Sequence, residues 1–456
     1  MIETNLPAFL GDLKETVGMF INAEDLNIRH EFKENNGKFV NTVIIDGKTY
    51  AFGNYIGELK GETLKKRIVK RYAKLSLYKA LSKFLGVELP WGALTGVRPT
   101  KLAYDEINAG RDFTELFKET MLVSDKKTEL IARIIENQRG IYEKREDNTD
   151  FFVFIPFCPS RCEYCSFITA DIKSAQKRVT EYVDALICEI EESAKLVKNL
   201  RSIYVGGGTP VSLPNELLEK VLTAIEKIGK CDEFTVEAGR PDAINKENLD
   251  ILKKHGVTRI CINPQSFNDQ TLKRIGRNHT ADDIFKAYEL AKNDFSVNMD
   301  LIAGLFGETF SDFKYSLDKA ISLSPDDITV HTISVKRGSR LFESEKRVSV
   351  SDIEEMIDYA HETLYKNGYE PYYLYRQKYM AGNLENTGYA KNKKFCIYNV
   401  DVMEEIADNV ACGAGAVSKK VDYHGEKIVR YGNPKDVPTY IEKIGRINSE
   451  KAVIFD

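Results

Sequence analysis

The chain lacks a long apolar run. No stretch of its 456 residues approaches twenty consecutive apolar side chains, so the sequence predicts no membrane insertion. The N-terminus shows no charged-then-apolar leader, and the expectation is a cytoplasmic protein. Charge of one sign is also missing: 65 Lys and Arg against 69 Asp and Glu leave a formal net charge of −4. A balanced surface gives no general pull toward nucleic acid or an anionic membrane. The local run Lys65-Lys66-Arg67 with Lys70-Arg71 reads as a solvated helix face. A disulfide framework is absent too. Of eight cysteines, Cys188, Cys231, Cys261, Cys396 and Cys412 are scattered singly, as buried small residues are.

The other three cysteines are concentrated. Residues 151–167 read FFVFIPFCPSRCEYCSF, which places Cys158, Cys162 and Cys165 in a C-x3-C-x2-C spacing. The apolar, aromatic and β-branched run before them predicts a buried strand that Pro156 ends, because proline cannot donate to a sheet ladder. Three thiolates on one short loop can hold three corners of a metal cluster. They cannot by themselves complete a structural zinc site, which takes four ligands. Two blander readings stand beside this one: a zinc knuckle completed from elsewhere, and redox thiols without metal.

The length predicts two to four domains, and the pattern divides into three: 1–150, 151–335 and 336–456. In the first, Phe39 to Phe52 alternates around Asp46-Gly47 as a hairpin does. Gly61 to Leu85 has helical spacing, as do residues 124–143. Between them lies LPWGALTGVRPTKL, with the only tryptophan, Trp91. It reads either as a docking loop or as a substrate lid that presents Arg98 to a carboxylate. From 151 onward, strand and helix alternate. Strands are predicted at Phe151–Pro156, Arg201–Val205, Glu233–Glu237, Thr258–Asn263, Ser296–Leu301 and Asp327–Ser334, with helices between. Six such units predict an α/β fold, a parallel sheet curled into a partial (β/α)6 barrel. The first domain is expected to be α+β, and the last an α+β cover over the substrate.

The residues with chemical promise fall at the carboxyl ends of those strands, where barrels of this kind carry their sites. The cysteine loop follows the first strand. Gly206-Gly207-Gly208-Thr209-Pro210 follows the second, and glycine there admits close backbone approach to a ligand. Glu237 ends the third strand, Asn263 and Gln265 follow the fourth, and Asp300 lies late in the fifth.

The cysteine spacing on a strand-to-helix loop resembles the radical S-adenosylmethionine family. That resemblance implies a [4Fe–4S] cluster on Cys158, Cys162 and Cys165 whose fourth iron chelates S-adenosylmethionine. An electron from the cluster then releases a 5′-deoxyadenosyl radical. It also implies a cofactor-binding set: Gly207, Gly208 and Thr209 at the amino group, Glu237 at the ribose hydroxyls, Arg277 at the carboxylate, and Gln265 and Asp300 beside them. Within that family, GGGTP, EAGRPD, GVTRICINPQSF, IGRNHT, MDLIAGLFGET, ACGAGAVSK, WGALTGVRPTK, YYLYRQK and GNLENTGY are similar to the oxygen-independent coproporphyrinogen III oxidases. The likeness is to a Gram-positive subgroup with an extra N-terminal domain.

The implied reaction is oxidative decarboxylation of two propionates of coproporphyrinogen III to vinyls. Its expected partners are this tetrapyrrole and an electron donor of flavodoxin or ferredoxin type. A substrate with four carboxylates on an apolar ring wants cations and aromatic walls. Tyr369 to Tyr379 offers both, with Arg376 and Lys378 as candidate partners, unless it is only a tyrosine-rich packing strand. The chain departs from the resemblance at three places. Phe167 stands where the oxidases carry a fourth cysteine. Phe152 and Phe154 stand where the family's opening strand has tyrosine and histidine. CSF is also similar to the CDF of haem chaperones, although the HN-x-x-YW-like segment of those proteins has no counterpart around Gly382 to Asn386. The alternatives are therefore a haem-trafficking protein of the same fold, a radical enzyme that opens the haem ring and, remotely, a zinc-binding module.

Overall fold

The computed structural model describes residues 2–20, 23, 25–57, 61–165, 170–172, 176–334, 339, 350–377, 380–422 and 427–455. Contacts divide the chain into two compact units, Met1–Ala132 with Gly382–Leu384, and Arg133–Ala381 with Glu385–Asp456.

The first unit is α+β. Strands β1 (Ile2–Thr4), β2 (Ile28–Asn35), β3 (Lys38–Ile45) and β4 (Lys48–Tyr55) form one sheet in that order. The expected hairpin pairs Lys38–Ile45 with Lys48–Tyr55 through Asp46-Gly47. The long helix α1 (Glu62–Leu85) packs on the sheet, with Ala73, Leu75, Leu77, Tyr78 and Leu81 in their shared core, whereas Leu64 stays exposed. Trp91 is fully buried, and its loop is knitted to 121–124 by Ala93 N–H to Met121 O and Ser124 N–H to Pro90 O, at 2.8 and 3.0 Å.

The second unit is built on an eleven-stranded open sheet. Six parallel strands run through its centre in sequence order: β5 (Asn148–Ile155), β6 (Asn199–Gly207), β7 (Glu233–Gly239), β8 (Arg259–Gln265), β9 (Ser296–Ala303) and β10 (Asp327–Thr332). These are the six strands of the partial (β/α)6 barrel. Helices join them, among them Gln176–Ala194, Asn215–Glu226, Lys246–Lys254 and Phe310–Leu323. The strand period of two sorts the side chains. Phe151, Val153, Ile203, Val205, Val236, Ile260, Ile262, Met299, Leu301, Ile328 and Val330 are all buried and supply the apolar face. Phe152, Tyr204, Glu237, Asn263, Asp300 and His331 alternate with them and make the inner wall.

The expected boundaries at 150 and 336 do not coincide with this division. Residues after 336 build onto the same sheet: β11 (Glu370–Tyr375) pairs with β12 (Asn386–Ala390), and β12 pairs antiparallel with β10. On the opposite edge, β13 (Asp408–Cys412) lies parallel to β5, and β14 (Val417–Asp422) and β15 (Lys427–Gly432) extend the sheet beyond it. The C-terminal segment therefore shares backbone hydrogen bonds with the barrel strands. At the other boundary, the helix Asp125–Asn137 runs across the division at 132/133, well before 150.

Candidate active site

Strand β5 delivers the cysteine loop. Phe157–Cys158 forms a short parallel pair with Ala170–Asp171, and Gly208 N–H and Thr209 N–H donate to Ile155 O and Phe157 O at 2.7 and 2.8 Å. The glycine-rich turn is thus stitched to the backbone that leads into Cys158. Gly208 has to be glycine there: a Cβ would stand 2.8 Å from Ile155 O and closer still to Phe157 O. Gly207 has φ +99°, and a Cβ would stand 2.7 Å from the Phe154 ring. Thr209 Oγ1 lies 3.5 Å from Cys158 Sγ.

The loop is held on its other side by the turn that follows the short helix Asp269–Arg274 after β8. Glu163 N–H donates to Ile275 O at 3.0 Å, and Ser160 Oγ donates to Gly276 O at 3.4 Å. Arg277, buried, donates from Nη1 to Asn263 O at 2.6 Å and from Nη2 to Tyr164 Oη at 2.9 Å. Arg240 reaches the same loop from the end of β7. Burial pushes the Cys158 thiol up to about 11, with Cys162 and Cys165 adding to the effect.

The inner wall carries a connected polar set. Tyr204 Oη donates to Glu237 Oε1, and Asn263 Nδ2 donates to Glu237 Oε2 at 2.9 Å. Burial raises the Glu237 carboxyl, and the neighbouring charge of Asp300 raises it further. Asn298 Nδ2 donates to Asp300 Oδ1 at 2.8 Å, and His331 Nε2 stands 3.6 Å from Asp300 Oδ2. Tyr375 Oη lies 3.3 Å from His331 Nδ1. Phe152 and Tyr204 stack on Tyr398 at 5.9 and 4.6 Å between ring centres, which lines this wall with aromatic faces.

Gln265 is strained and unsatisfied. Its φ is +68°, uncommon for a residue with a Cβ, and it sits at a register shift in β8. Its Oε1, like Asn263 Oδ1 and Arg277 Nε, is buried and has no hydrogen-bond partner among the described residues. Buried polar atoms ordinarily find partners, so this strand end has the donors and acceptors that a polar ligand would satisfy.

Ten expected residues therefore lie at one end of the second unit: Cys158, Cys162, Cys165, Gly207, Gly208, Thr209, Glu237, Gln265, Arg277 and Asp300. Arg376 is buried directly after β11. Arg98 precedes the helix Pro99–Asn108 in the first unit. Lys378 and Phe167 lie outside the described residues. Sequence reasoning missed Tyr164, Tyr204, Arg240, His331 and Tyr398. Tyr204 and His331 carried a signal, their alternation with apolar strand residues. Tyr164 stands inside the cysteine loop, between Cys162 and Cys165, and Arg240 stands in the EAGRPD run; Tyr398 meets the site only through the fold.

The cysteines fit an iron–sulfur cluster. None is in a disulfide, and Cys158, Cys162 and Cys165 stand on one short loop as three free thiols, the donor set that a cluster with one open iron takes. A cubic cluster takes each thiolate on a different iron.

Comparison with known proteins agrees with this geometry. The Radical SAM superfamily profile matches residues 152–320. The chain is 36% identical over 399 residues to the oxygen-independent coproporphyrinogen-III oxidase-like protein HemZ of Bacillus subtilis, covering 83% of this chain and 79% of that one. It is 38% identical over 193 residues to the heme chaperone HemW of the same organism, covering 41% of this chain and 50% of HemW. The structure of coproporphyrinogen III oxidase (HemN) from Escherichia coli superposes with a TM-score of 0.56 at 19% identity, over 68% of this chain and 72% of that one, a likeness of fold. The chain belongs to the radical S-adenosylmethionine superfamily, among the oxygen-independent coproporphyrinogen-III oxidase-like proteins, and its cofactors are a [4Fe–4S] cluster and S-adenosylmethionine.

Proposed function

We propose that this chain converts two propionates of coproporphyrinogen III to vinyls, giving protoporphyrinogen IX. Each conversion releases carbon dioxide and removes one hydrogen atom and one electron from the side chain. When bound, the cluster and S-adenosylmethionine supply the 5′-deoxyadenosyl radical that takes the hydrogen. An electron donor of flavodoxin or ferredoxin type and a one-electron acceptor complete the balance.

In this proposal Cys158, Cys162 and Cys165 each hold one iron. The backbone at Gly207, Gly208 and Thr209 receives the cofactor's amino group, and Glu237 accepts from its ribose hydroxyls. Arg277 pairs with its carboxylate, Gln265 turns its buried Oε1 to it, and Asp300 orients Asn298 and His331 beside it. Phe152, Tyr204 and Tyr398 offer the aromatic wall for a macrocycle, and Arg376 is a partner for a propionate. Arg98 and Lys378 belong to the same substrate-contact proposal. The observation that carries the reading is the convergence of the cysteine loop, the glycine-rich turn and Glu237 beside that wall.

A second reading, stoichiometric haem holding, draws support from the similarity to HemW and from Phe152 and Phe154, which put no titratable group at those two positions of the first strand. One experiment separates the two. Reconstituted protein is incubated anaerobically with dithionite, S-adenosylmethionine and coproporphyrinogen III, and the oxidised porphyrins are chromatographed. The proposal expects mono- and divinyl products together with 5′-deoxyadenosine. 5′-Deoxyadenosine without a decarboxylated porphyrin retires the substrate, and one haem bound per chain with no vinyl product favours the second reading. Conversion of added haem to a linear tetrapyrrole would instead identify a ring-opening enzyme.

A further inference from the structure

Arg240 follows β7 in the run Glu237-Ala238-Gly239-Arg240-Pro241-Asp242, and only 2% of its surface is exposed. One edge of its guanidinium is spent on Asp242: Nε and Nη2 donate to Oδ1 and Oδ2 at 2.9 and 2.7 Å. The remaining nitrogen, Nη1, turns to the cysteine loop and donates to Ser160 Oγ at 2.5 Å and to Ser160 O at 3.4 Å. Ser160 lies between Cys158 and Cys162. Its hydroxyl accepts from Arg240 and donates to Gly276 O, so one side chain links the end of β7 to the turn after the helix Asp269–Arg274 across the loop. A buried guanidinium costs several kcal/mol unless it is paired and hydrogen-bonded. Here the pairing to Asp242 fixes the plane of the fork, and the free edge can point in only one direction.

We infer that Arg240 is a positioning residue for the iron–sulfur site. It pins Ser160, so that Cys158 and Cys162 stand ready before metal arrives, and it sets a fixed positive charge beside a thiolate-rich, anionic cluster. Net charge and hydrogen bonding around such a cluster set its potential, and removing the cation disfavours reduction. The inference rests on the cysteines being the cluster ligands, and the experiment reads the two ideas separately.

The test uses the full-length chain as wild type, Arg240→Gln, Arg240→Lys and Ser160→Ala. The first readout needs no cluster: reduced metal-free protein is followed by hydrogen–deuterium exchange, read by mass spectrometry on peptides that cover residues 158–165. Arg240→Gln should exchange there roughly 10-fold faster than wild type, the scale of losing one hydrogen bond to a charged group. Ser160→Ala should move the same way by less. The second readout is the midpoint potential of the reconstituted cluster, titrated by electron paramagnetic resonance. Arg240→Gln should shift it to more negative values, and Arg240→Lys should restore much of it, which lost packing alone would not do. Wild-type exchange rates over residues 158–165 or a wild-type potential in Arg240→Gln would overturn the inference. If Arg240→Gln fails to fold, Ser160→Ala decides, and wild-type values for it on both readouts would overturn the inference. Wild-type protein that takes up no iron would instead overturn the ligand assignment.

Discussion

Cys158 and Thr209, 51 residues apart in sequence, meet side chain to side chain, with Sγ 3.5 Å from Oγ1. The first cysteine of the loop is thereby fixed to the glycine-rich turn. The cluster site and the proposed amino-group cradle form one object, and damage to either should be felt by both. Cys162 is the clean probe, since it is the middle of the three proposed ligands and is buried. After anaerobic reconstitution, Cys162→Ala should hold far less iron than wild type, a loss beyond the ~10–100-fold penalty of removing an outer-shell partner. Brown absorbance, bound iron and 5′-deoxyadenosine formation should fall together. Retained turnover would refute the ligand assignment.

Gly208 tests the stitching itself. An added methyl would press on Ile155 O and Phe157 O, and backbone cannot swing aside as a side chain can. Gly208→Ala should destabilise by about 1–3 kcal/mol, the usual cost of overpacking, and weaken S-adenosylmethionine binding in step. Urea denaturation and equilibrium dialysis measure the two effects. An unchanged urea midpoint would mean that the turn relaxes freely.

Glu237 should bind the cofactor only when ionised. Burial and Asp300 raise its pKa, so the charged form is lost earlier on acidification than for an ordinary carboxylate. Wild-type affinity for S-adenosylmethionine should therefore fall as pH is lowered, beginning above the usual carboxylate range. Glu237→Gln should bind ~10–100-fold more weakly, the worth of a hydrogen bond to a charged group, with this pH dependence gone. Calorimetry at several pH values distinguishes the two curves.

The central strands were legible because a strand buried on a helix-covered face reads as an apolar run, and each is ended by glycine, proline or a polar turn. Observed strand starts lie within about three residues of those expected. The hairpin and α1 were legible for the same local reason. Strand β13 was not: Asp408–Cys412 pairs with residues near 150, and nothing in five residues names a partner so distant. The sequence alone reads the C-terminal segment as an α+β cover, and its place in the sheet comes from pairings with residues far away in the chain. The Arg240–Ser160 contact was hidden in the same way, since its two ends lie 80 residues apart and only the fold brings them together.

A buried ion pair ties the C-terminal helix to the barrel. Lys451 and Glu189 are both fully buried, 2.5 Å apart. Glu189 also accepts from Gly413 N–H at 2.7 Å and from Tyr440 Oη at 2.5 Å. Lys451→Met should cost about 3–5 kcal/mol, because an uncompensated carboxylate is left inside. The double variant Lys451→Met with Glu189→Gln should cost less than the sum of the two single changes, as urea melts of the full cycle would show.

Glu308 should make the protein less stable as pH rises toward neutrality. Burial pushes its carboxyl from 4.5 up to about 7, even though Ser266 Oγ donates to it at 2.5 Å. Between those two values the folded chain holds a proton that the unfolded chain has released. Stability therefore falls as pH rises from about 4.5 to about 7 and is level above that. At 1.36 kcal/mol per unit, the lost stability is about 3 kcal/mol. Asp327 and Asp401 are also pushed to about 7 by burial, so the wild-type curve alone cannot assign the effect. The difference between wild type and Glu308→Gln can, because glutamine keeps an acceptor for Ser266 and does not titrate. Urea denaturation at pH 5 and pH 8 should show the variant gaining on wild type by up to that amount. A pH-independent difference would place the Glu308 pKa back in the ordinary range.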